Sequence, residues 1–438
     1  MRNFCFLIFS LGIFSSLFAQ QELGTHLMRG TWQANRTNPA LVPDKKLIIS
    51  LPGLYNNLLI ENVTYNDLIV KESNGETVLD ISRGIEKLEA DNQIRENLEL
   101  ETITVGLRLG KLMLSLGHTV KFNAFFNYPK TLPELIWEGN AQFAGQEVNF
   151  GSDLHLFGYN EFALGAAFKI ADKLTIGARA KYLNGFGDIS TDQNKLNLFT
   201  DEVAYALTLD ADFRVNTTGN IRYNGFRDLT VDYDFGNFNA DELLTENTGF
   251  AFDLGAHVQL GKLDLAASVL DLGGRIDWKQ DVKNYTLSGI FEYKGLDVAK
   301  GLLEDSTTLG NAIDTLLELY EFTETQRAYS NELPTRYYLS GTYQLNQTWR
   351  LGVLLYGESY RNETFTGIAA GANAQLLRWL NLGATYAWRS QTFDNLGINA
   401  TIHVGPLQIV AMTDNILTAF QLYDSNSANL RLGVNLIF

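Results

Sequence analysis

The last nine residues, Leu430-Arg-Leu-Gly-Val-Asn-Leu-Ile-Phe438, restrict the fold of this chain more than any other segment. On an extended backbone Leu430, Leu432, Val434, Leu436 and Phe438 share one face, and Arg431, Gly433 and Asn435 share the other. One face suits lipid and the other a wet interior. The chain then stops on an aromatic carboxy-terminus.

The same alternation recurs as hairpins. Phe162, Leu164, Ala166, Phe168 and Ile170 alternate with Ala163, Gly165, Ala167 and Lys169, a turn follows at Ala171 to Lys173, and Leu174, Ile176, Ala178, Ala180 and Tyr182 alternate with Thr175, Gly177, Arg179 and Lys181. Further hairpins run over Phe250 to Leu270, Tyr337 to Leu355, Ile368 to Trp388 and Leu396 to Met412. Even spacing of this kind marks an up-and-down antiparallel sheet. Lysine or arginine on a lipid face near the bilayer midplane costs about 2 to 4 kcal/mol. Arg179, Lys181, Asp253, His257, His403 and Arg431 are therefore expected to line a lumen, with the Leu, Ile, Phe and Ala parity turned to lipid. Tyr182, Tyr386 and Trp388 fall where an interfacial aromatic girdle belongs. A soluble sandwich would alternate likewise, but a sheet of this many strands needs a second layer, and no second set of elements is present to form it.

The amino-terminus points to export. Met1-Arg2-Asn3 is a short positive start, Phe4 to Phe18 is an apolar run too short to span, and Leu17-Phe18-Ala19 offers a small-residue cleavage site, so residues 1–19 read as a secretory signal. The only cysteine, Cys5, lies inside it, leaving the mature chain without disulfides or a lipid-modified cysteine. Beyond the signal there is no apolar run of roughly 18 residues. An exported chain that enters a membrane without such a run must do so as a closed barrel. Mean hydropathy of -0.08 does not argue against this, because a barrel places its apolar residues on alternate positions. The 38 glycines against 7 prolines fit many strands with tight turns. A net charge of -16 argues against nucleic acid. No linker interrupts residues 20–438, which read as one all-β, antiparallel, up-and-down transmembrane barrel of about 14 strands, within a range of 12 to 16.

Loop lengths orient it. Short turns at Gly110-Lys111, Ala171 to Lys173, Gly261-Lys262, Leu345 to Thr348, Leu376 to Arg378 and Gly405-Pro406 are expected in the periplasm, and the longer connections outside. The longest excursion, residues 272–334, carries Val298, Leu302, Leu303, Leu309, Ile313, Leu316, Leu317 and Tyr320 at helical spacing. A second helix is predicted over Ile81 to Leu98. Strands counted from Thr102 require one more near the start, from Leu47 to Leu51 or Leu58 to Val70. Residues 20–43 carry Leu23, Leu27, Met28, Trp32, Leu41 and Val42, too apolar for a free tail, while Pro39 and Pro43 deny regular pairing. A lumenal hatch is the expectation.

The carboxy-terminal segment resembles the closing strand of bacterial outer-membrane barrels, which implies that Phe438 serves as an assembly signal. Asn38-Pro39-Ala40, early in the mature chain, resembles the Asn-Pro-Ala motif in the hatch of outer-membrane long-chain fatty-acid transporters and of the related barrel serving type IX secretion. Across nearly the whole chain, Tyr128-Pro-Lys-Thr-Leu-Pro-Glu-Leu135, Gly139-Asn140, Glu161-Phe-Ala-Leu-Gly165 and Lys173-Leu-Thr-Ile-Gly-Ala-Arg-Ala-Lys-Tyr182 resemble an outer-membrane barrel family known only as a domain of unknown function. The resemblance implies the outer membrane of a Gram-negative bacterium, contact with lipid and lipopolysaccharide, and insertion by the barrel assembly machinery.

Motifs of an enzyme are missing: no His-Glu-x-x-His, no Gly-x-Ser-x-Gly, no phosphate-cradling glycine loop. Asn399 and His403 share a strand face without a serine placed beside them, and His257 beside Asp253 reads as a pore-lining pair. The acids from Glu86 to Glu101 match no calcium-loop spacing. No cofactor or metal is expected. Two functions remain: uptake or binding of a small hydrophobic ligand, which ranks first, and a non-conducting platform for a secreted or surface protein. An apolar upper lumen would favour the first, and exposed aromatic loop tips over a sealed polar lumen the second.

Overall fold

The computed structural model describes residues 23–71, 77–203, 206–219, 221–223, 229–231, 244–293, 322–361, 363–388 and 395–438. The expected signal at 1–19 and the helical spacing from Val298 to Tyr320 lie outside the described residues. Among them, fourteen strands form one closed antiparallel barrel. Strand β1 comprises Leu47–Ser50 and Gly53–Ile60, broken at Pro52. Then follow β2 (Asp91–Leu109), β3 (Leu112–Pro129), β4 (Asp153–Ala171), β5 (Leu174–Thr200), β6 (Thr248–Leu260) and β7 (Leu263–Trp278). The second half is β8 (Thr335–Gln344), β9 (Trp349–Tyr360), β10 (Glu363–Leu377), β11 (Leu380–Trp388), β12 (Leu396–Val404), β13 (Leu407–Thr413) and β14 (Ser427–Ile437). The barrel closes on β1, which pairs with β2 (Gly53 with Glu101) and with β14 (Leu54 with Leu432). Phe438 completes the seam: its amide donates to the Leu47 carbonyl, and its own carbonyl accepts from the Lys46 amide at 2.8 Å.

All six short turns predicted from sequence join consecutive strands at one end. Gly110, Gly261 and Gly405 there adopt φ of 62°, 66° and 59°, a backbone that tight hairpins need and that side chains resist. At the other end the wall continues upward. The far half of β5 leaves β6 and pairs with Leu207–Gly219, which pairs in turn with Lys283–Tyr293. Inside this extension Ile189, Leu209, Phe213, Val215 and Leu287 pack together.

Side-chain parity sorts as the energetics require. Leu164, Phe252 and Leu254 are 61%, 52% and 51% exposed on the outer face, whereas Arg179, Lys181, Asp253 and Arg431 are buried within. Tyr182 contacts Phe162 and Phe250 at the upper edge of this band, and Tyr386 contacts Trp388. The alanines divide between the two faces: Ala163, Ala167 and Ala251 are buried in the lumen.

The segment Ile81 to Leu98 corrects one expectation. Only Ile81–Lys87 is helical, capped by the Asp80 carboxylate, and β2 begins at Asp91 rather than near Thr102. From there the chain alternates, and Arg95, Asn97, Glu99 and Glu101 turn inward, where Arg95 meets Glu358, Glu99 meets Lys121 and Glu101 meets Arg431. The first strand is Leu47–Ser50 continued by Gly53–Ile60, and the Leu58 to Val70 candidate ends as strand at Ile60.

Replacing Ile176 or Leu254 by Arg is expected to lower folded yield, at a cost of about 2 to 4 kcal/mol. Arg at Thr175 or Gln259 should be far milder. Heat-modifiable migration of the folded barrel measures this, and equal tolerance at all four positions would contradict the assigned lipid face.

Candidate functional site

The lumen is filled in layers, and the lowest is the amino-terminal segment. Helix α1 (Leu23–Leu27) and helix α2 (Gln33–Thr37) are short, and almost every side chain from Leu23 to Leu41 is buried. Neither helix is long enough to hold itself together. The barrel wall supplies the missing contacts. Leu23 and Leu27 pack on Leu270, Tyr338 and Leu354, and Trp32 packs on Ile48, Met113 and Ile437. The Gly24 amide donates to the Asp414 carboxylate at 2.9 Å, and the Asn435 amide group donates to Gln33 Oε1 at 2.9 Å. His26 sits between Thr37 and Ser340, 2.9 Å from each hydroxyl, with its ring stacked on Tyr338.

Asn38, Pro39 and Ala40 meet the wall where two strands carry facing glycines. Asn38 donates to the carbonyls of Ala267 (3.0 Å) and Ala256 (3.3 Å), and its Oδ1 accepts from the Ala40 amide at 2.8 Å. Gly255 and Gly177 are register partners on β6 and β5. A Cβ on Gly177 would run into the Pro39 carbonyl group and the Ala40 nitrogen, and one on Gly255 into Asn38 Oδ1. These glycines exist to let the tripeptide backbone approach. Their positions on the lumenal parity were readable, but only the fold reveals what approaches them.

Above the hatch lies a layer of paired charges. Lys181 Nζ is 2.6 Å from Asp271, 2.8 Å from Asp253 and 3.6 Å from Glu161. Arg179 bonds Asp253 at 3.0 Å and also donates to the Asn35 carbonyl of the hatch at 2.6 Å. Lys121 bridges Glu161 (2.9 Å) and Glu99 (3.3 Å), and Arg336 meets Asp271 at 2.6 Å. Arg431 pairs with Glu101 and, at 3.3 Å, with Glu99, its guanidinium lying 4.6 Å over the Tyr55 ring. Arg36 of the hatch completes the layer, 3.5 Å from Glu101 and 3.7 Å from Glu99. A bulge in β7 delivers Asp271: its φ of 57° turns the backbone so that its amide donates to Asp253 while its carboxylate faces the cations. Charges taken out of water survive only when so paired. The void left among Arg36, Glu99, Lys121, Glu161, Arg179, Lys181 and Arg336 is about 10 Å³, close to the least that holds a single water.

A third layer is aromatic. Phe125, Phe157, Tyr159, Trp278, Tyr360 and Phe365 form a core around the Arg95 to Glu358 pair at 2.6 Å. His155 there bonds Asp188 at 3.0 Å and Tyr360, and Asp188 accepts from Tyr329 at 2.7 Å. Above it space opens into a mouth cavity of about 540 Å³ bordered by Glu61, Asp91, Asp153 and Glu363 with Tyr128 and Phe365.

The sequence-predicted site residues thus fall into different settings. Arg179, Lys181, Asp253 and Arg431 join the charge layer. His257 does not pair with Asp253, whose oxygens are taken by Arg179 and Lys181; four residues along β6 it has moved down toward the turn, 3.6 Å from Asp264. His403 is half-buried and pairs with Gln408 at 2.8 Å rather than with Asn399. Sequence reading missed Glu99, Glu101, Lys121, Glu161, Asp271 and Arg336, although each sits on a strand in which charges fall on the lumenal parity. Among the described residues no group of His, Cys, Asp and Glu has the geometry to hold a metal ion.

Gly177→Val and Gly255→Val are expected to expel the hatch at a cost of about 1 to 3 kcal/mol of overpacking. The measurement is cleavage of the released segment by protease while the barrel stays heat-modifiable. A protected hatch in both variants would refute the docking described.

No curated protein matches the chain in sequence. Solved structures similar to it include a FadL homologue of Pseudomonas aeruginosa (10% identity, 95% of this chain and 96% of the other, TM-score 0.41) and the toluene transporter TodX of Pseudomonas putida (10%, 92% and 93%, 0.41). The translocator domain of the autotransporter NalP from Neisseria meningitidis is another (8%, 92% and 94%, 0.33). The profile of one family matches residues 39–414, nearly the whole barrel, and the chain belongs to that family of unknown function, DUF5723.

Proposed function

We propose that this chain is an outer-membrane barrel held closed by its own amino-terminal segment, which binds at its outer mouth and does not conduct at rest. The observation that carries this reading is the sealed middle of the lumen. The void among the charge layer's side chains is about 10 Å³, and an apolar solute passing there would have to part eleven mutually paired charges. The long-loop end supports a platform for a secreted or surface protein. Tyr65 and Tyr423 stand exposed with ring centroids 5.0 Å apart, Phe420 is 80% exposed, and Trp137 is exposed at the end of the short helix Thr131–Trp137. Aromatic side chains so placed are what protein interfaces recruit. The proposal places the barrel in the outer membrane of a Gram-negative bacterium, among lipid and lipopolysaccharide, inserted by the barrel assembly machinery and without catalysis of its own.

Uptake or binding of a small hydrophobic ligand is the second reading. The mouth cavity of about 540 Å³, walled partly by Tyr128 and Phe365, favours it, since ligand clefts are of that size. Passage would require the hatch to leave.

The full chain in planar bilayers is expected to show no steady conductance, and deletion of residues 20–43 should give an assembled barrel with raised single-channel conductance. Steady conductance or saturable passage of an apolar solute with the hatch in place would overturn the closed reading. Conductance unchanged by the deletion would remove the plug assignment. For assembly, we propose Phe438 as the signal residue. Its deletion, or charged residues added after it, should reduce insertion, and normal membrane yield with normal heat-modifiable migration would sink that role.

A further inference from the structure

A second cavity, of about 380 Å³, lies at the short-turn end of the barrel, below the hatch. Its rim is the exposed turn residue Gln347 with Thr348 and Gln375, and its roof is the hatch itself at Leu27, Met28 and Gly30. Two guanidinium groups line it, Arg29 from the hatch and Arg350 from the start of β9. Among the described residues neither has a carboxylate at ion-pair distance. Arg29 donates to the His26 carbonyl (3.2 Å) and to the Ser340 hydroxyl (3.3 Å), and its Nε is buried without a partner. Arg350 donates through Nε to Gln344 Oε1 at 2.9 Å. Elsewhere in this lumen the buried cations face carboxylates, so two arginines sharing one cavity depart from the pattern. Asp264 is the acid near both, beyond ion-pair distance of either, and its Oδ1 lies 3.6 Å from His257 Nε2.

The rest of the lining consists of hydrogen-bonding groups. Asn373, Asn381, Asn399 and Thr401 face the cavity with the glutamines of the rim. Asn399 is 4% exposed, and its Nδ2 donor has no partner among the described residues. A buried donor left unpaired is unfavourable, and a ligand that accepts from it relieves that cost. Burial pushes the Arg29 guanidinium down to about 10, with Asp264 raising it and Arg350 lowering it. An anion placed between the two arginines would relieve that burial and repulsion together. Guanidinium forks bind planar oxyanions through paired hydrogen bonds. A lone phosphate would fill little of 380 Å³, a volume within the range of ligand clefts, whereas a peptide end would also use the amides along the wall.

We propose that this cavity binds the carboxylate end of a peptide presented from the periplasmic side, the carboxylate between Arg29 and Arg350 and the peptide groups against Asn373, Asn381 and Asn399. The site is distinct from the outer mouth, and its occupant touches the hatch through Gly30, so binding there reaches the plug from below. It does not depend on whether the barrel conducts.

The test is calorimetric titration of the full chain in detergent micelles with three probes: a tetra-alanine peptide with a free carboxylate, the same peptide amidated at its carboxy-terminus, and inorganic phosphate. The free acid should bind at least about tenfold more tightly than the amide or phosphate, because only it meets both the arginines and the amide wall. Arg350→Gln should weaken it by a similar factor, and Gln347→Glu, at an exposed rim position that the fold does not need, should weaken it several-fold by repulsion. Equal binding of the amidated peptide, or phosphate binding as tight as the peptide, would overturn the proposal. Should Arg350→Gln fail to give a heat-modifiable barrel, Gln347→Glu decides, and unchanged affinity in that folded variant also overturns it.

Discussion

Every backbone amide and carbonyl that enters hydrocarbon must find its partner within the protein, and a sheet achieves this only by closing on itself. In this chain closure rests on β1, a strand interrupted by Pro52 and held on both sides, against β2 through Gly53 and Glu101 and against β14 through Leu54 and Leu432. The terminal residue takes part directly, since Phe438 exchanges backbone hydrogen bonds with Lys46 and Leu47. The two ends of the chain are therefore joined at one seam. That seam also brings the segment preceding β1 to the short-turn end, from which it enters the lumen.

Once the wall is closed, its inward parity has to be satisfied without bulk water. Two solutions are stacked here. The hatch brings apolar side chains to apolar patches of wall, Leu23 and Leu27 to Tyr338 and Leu354, Trp32 to Ile48 and Met113. Above it, lysines and arginines from β3, β5, β8 and β14 meet carboxylates from β2, β4, β6 and β7. Arg36 and Asn35 tie the two layers, because each belongs to the hatch and bonds the charge layer. Removing one partner of such a network leaves a buried charge unpaired, which typically costs about 3 to 5 kcal/mol. The hatch is thus held by the same ions that fill the middle of the lumen, and displacement of one disturbs the other.

Much of the wall was legible in the linear chain. Leu164, Ile176 and Leu254 declared the lipid face because a two-residue period is a local property, and the short turns declared themselves through Gly110, Gly261 and Gly405 for the same reason. The helix expected over Ile81 to Leu98 stops at Lys87 because from Asp91 the chain pairs with β3, and the arrival of Lys121, Arg36 and Arg431 across the lumen makes Glu99 and Glu101 inward residues. His257 was assigned to Asp253 by proximity in sequence, but Arg179 and Lys181 come from a neighbouring strand and take that carboxylate first.

By itself the sequence determined a barrel, its lipid face, its turn end and a compact amino-terminal segment, because periodicity, glycine turns and apolar content are read within a few residues. Tertiary structure alone decided how the charges inside the barrel pair. Which cation meets which carboxylate depends on shear and register between strands that can lie hundreds of residues apart, as with Arg431 and Glu101. It alone also decided that Gly177 and Gly255 stand opposite each other to admit Asn38, Pro39 and Ala40, and that Arg29 and Arg350 share a cavity. Those are relations across the barrel, and no local pattern encodes them.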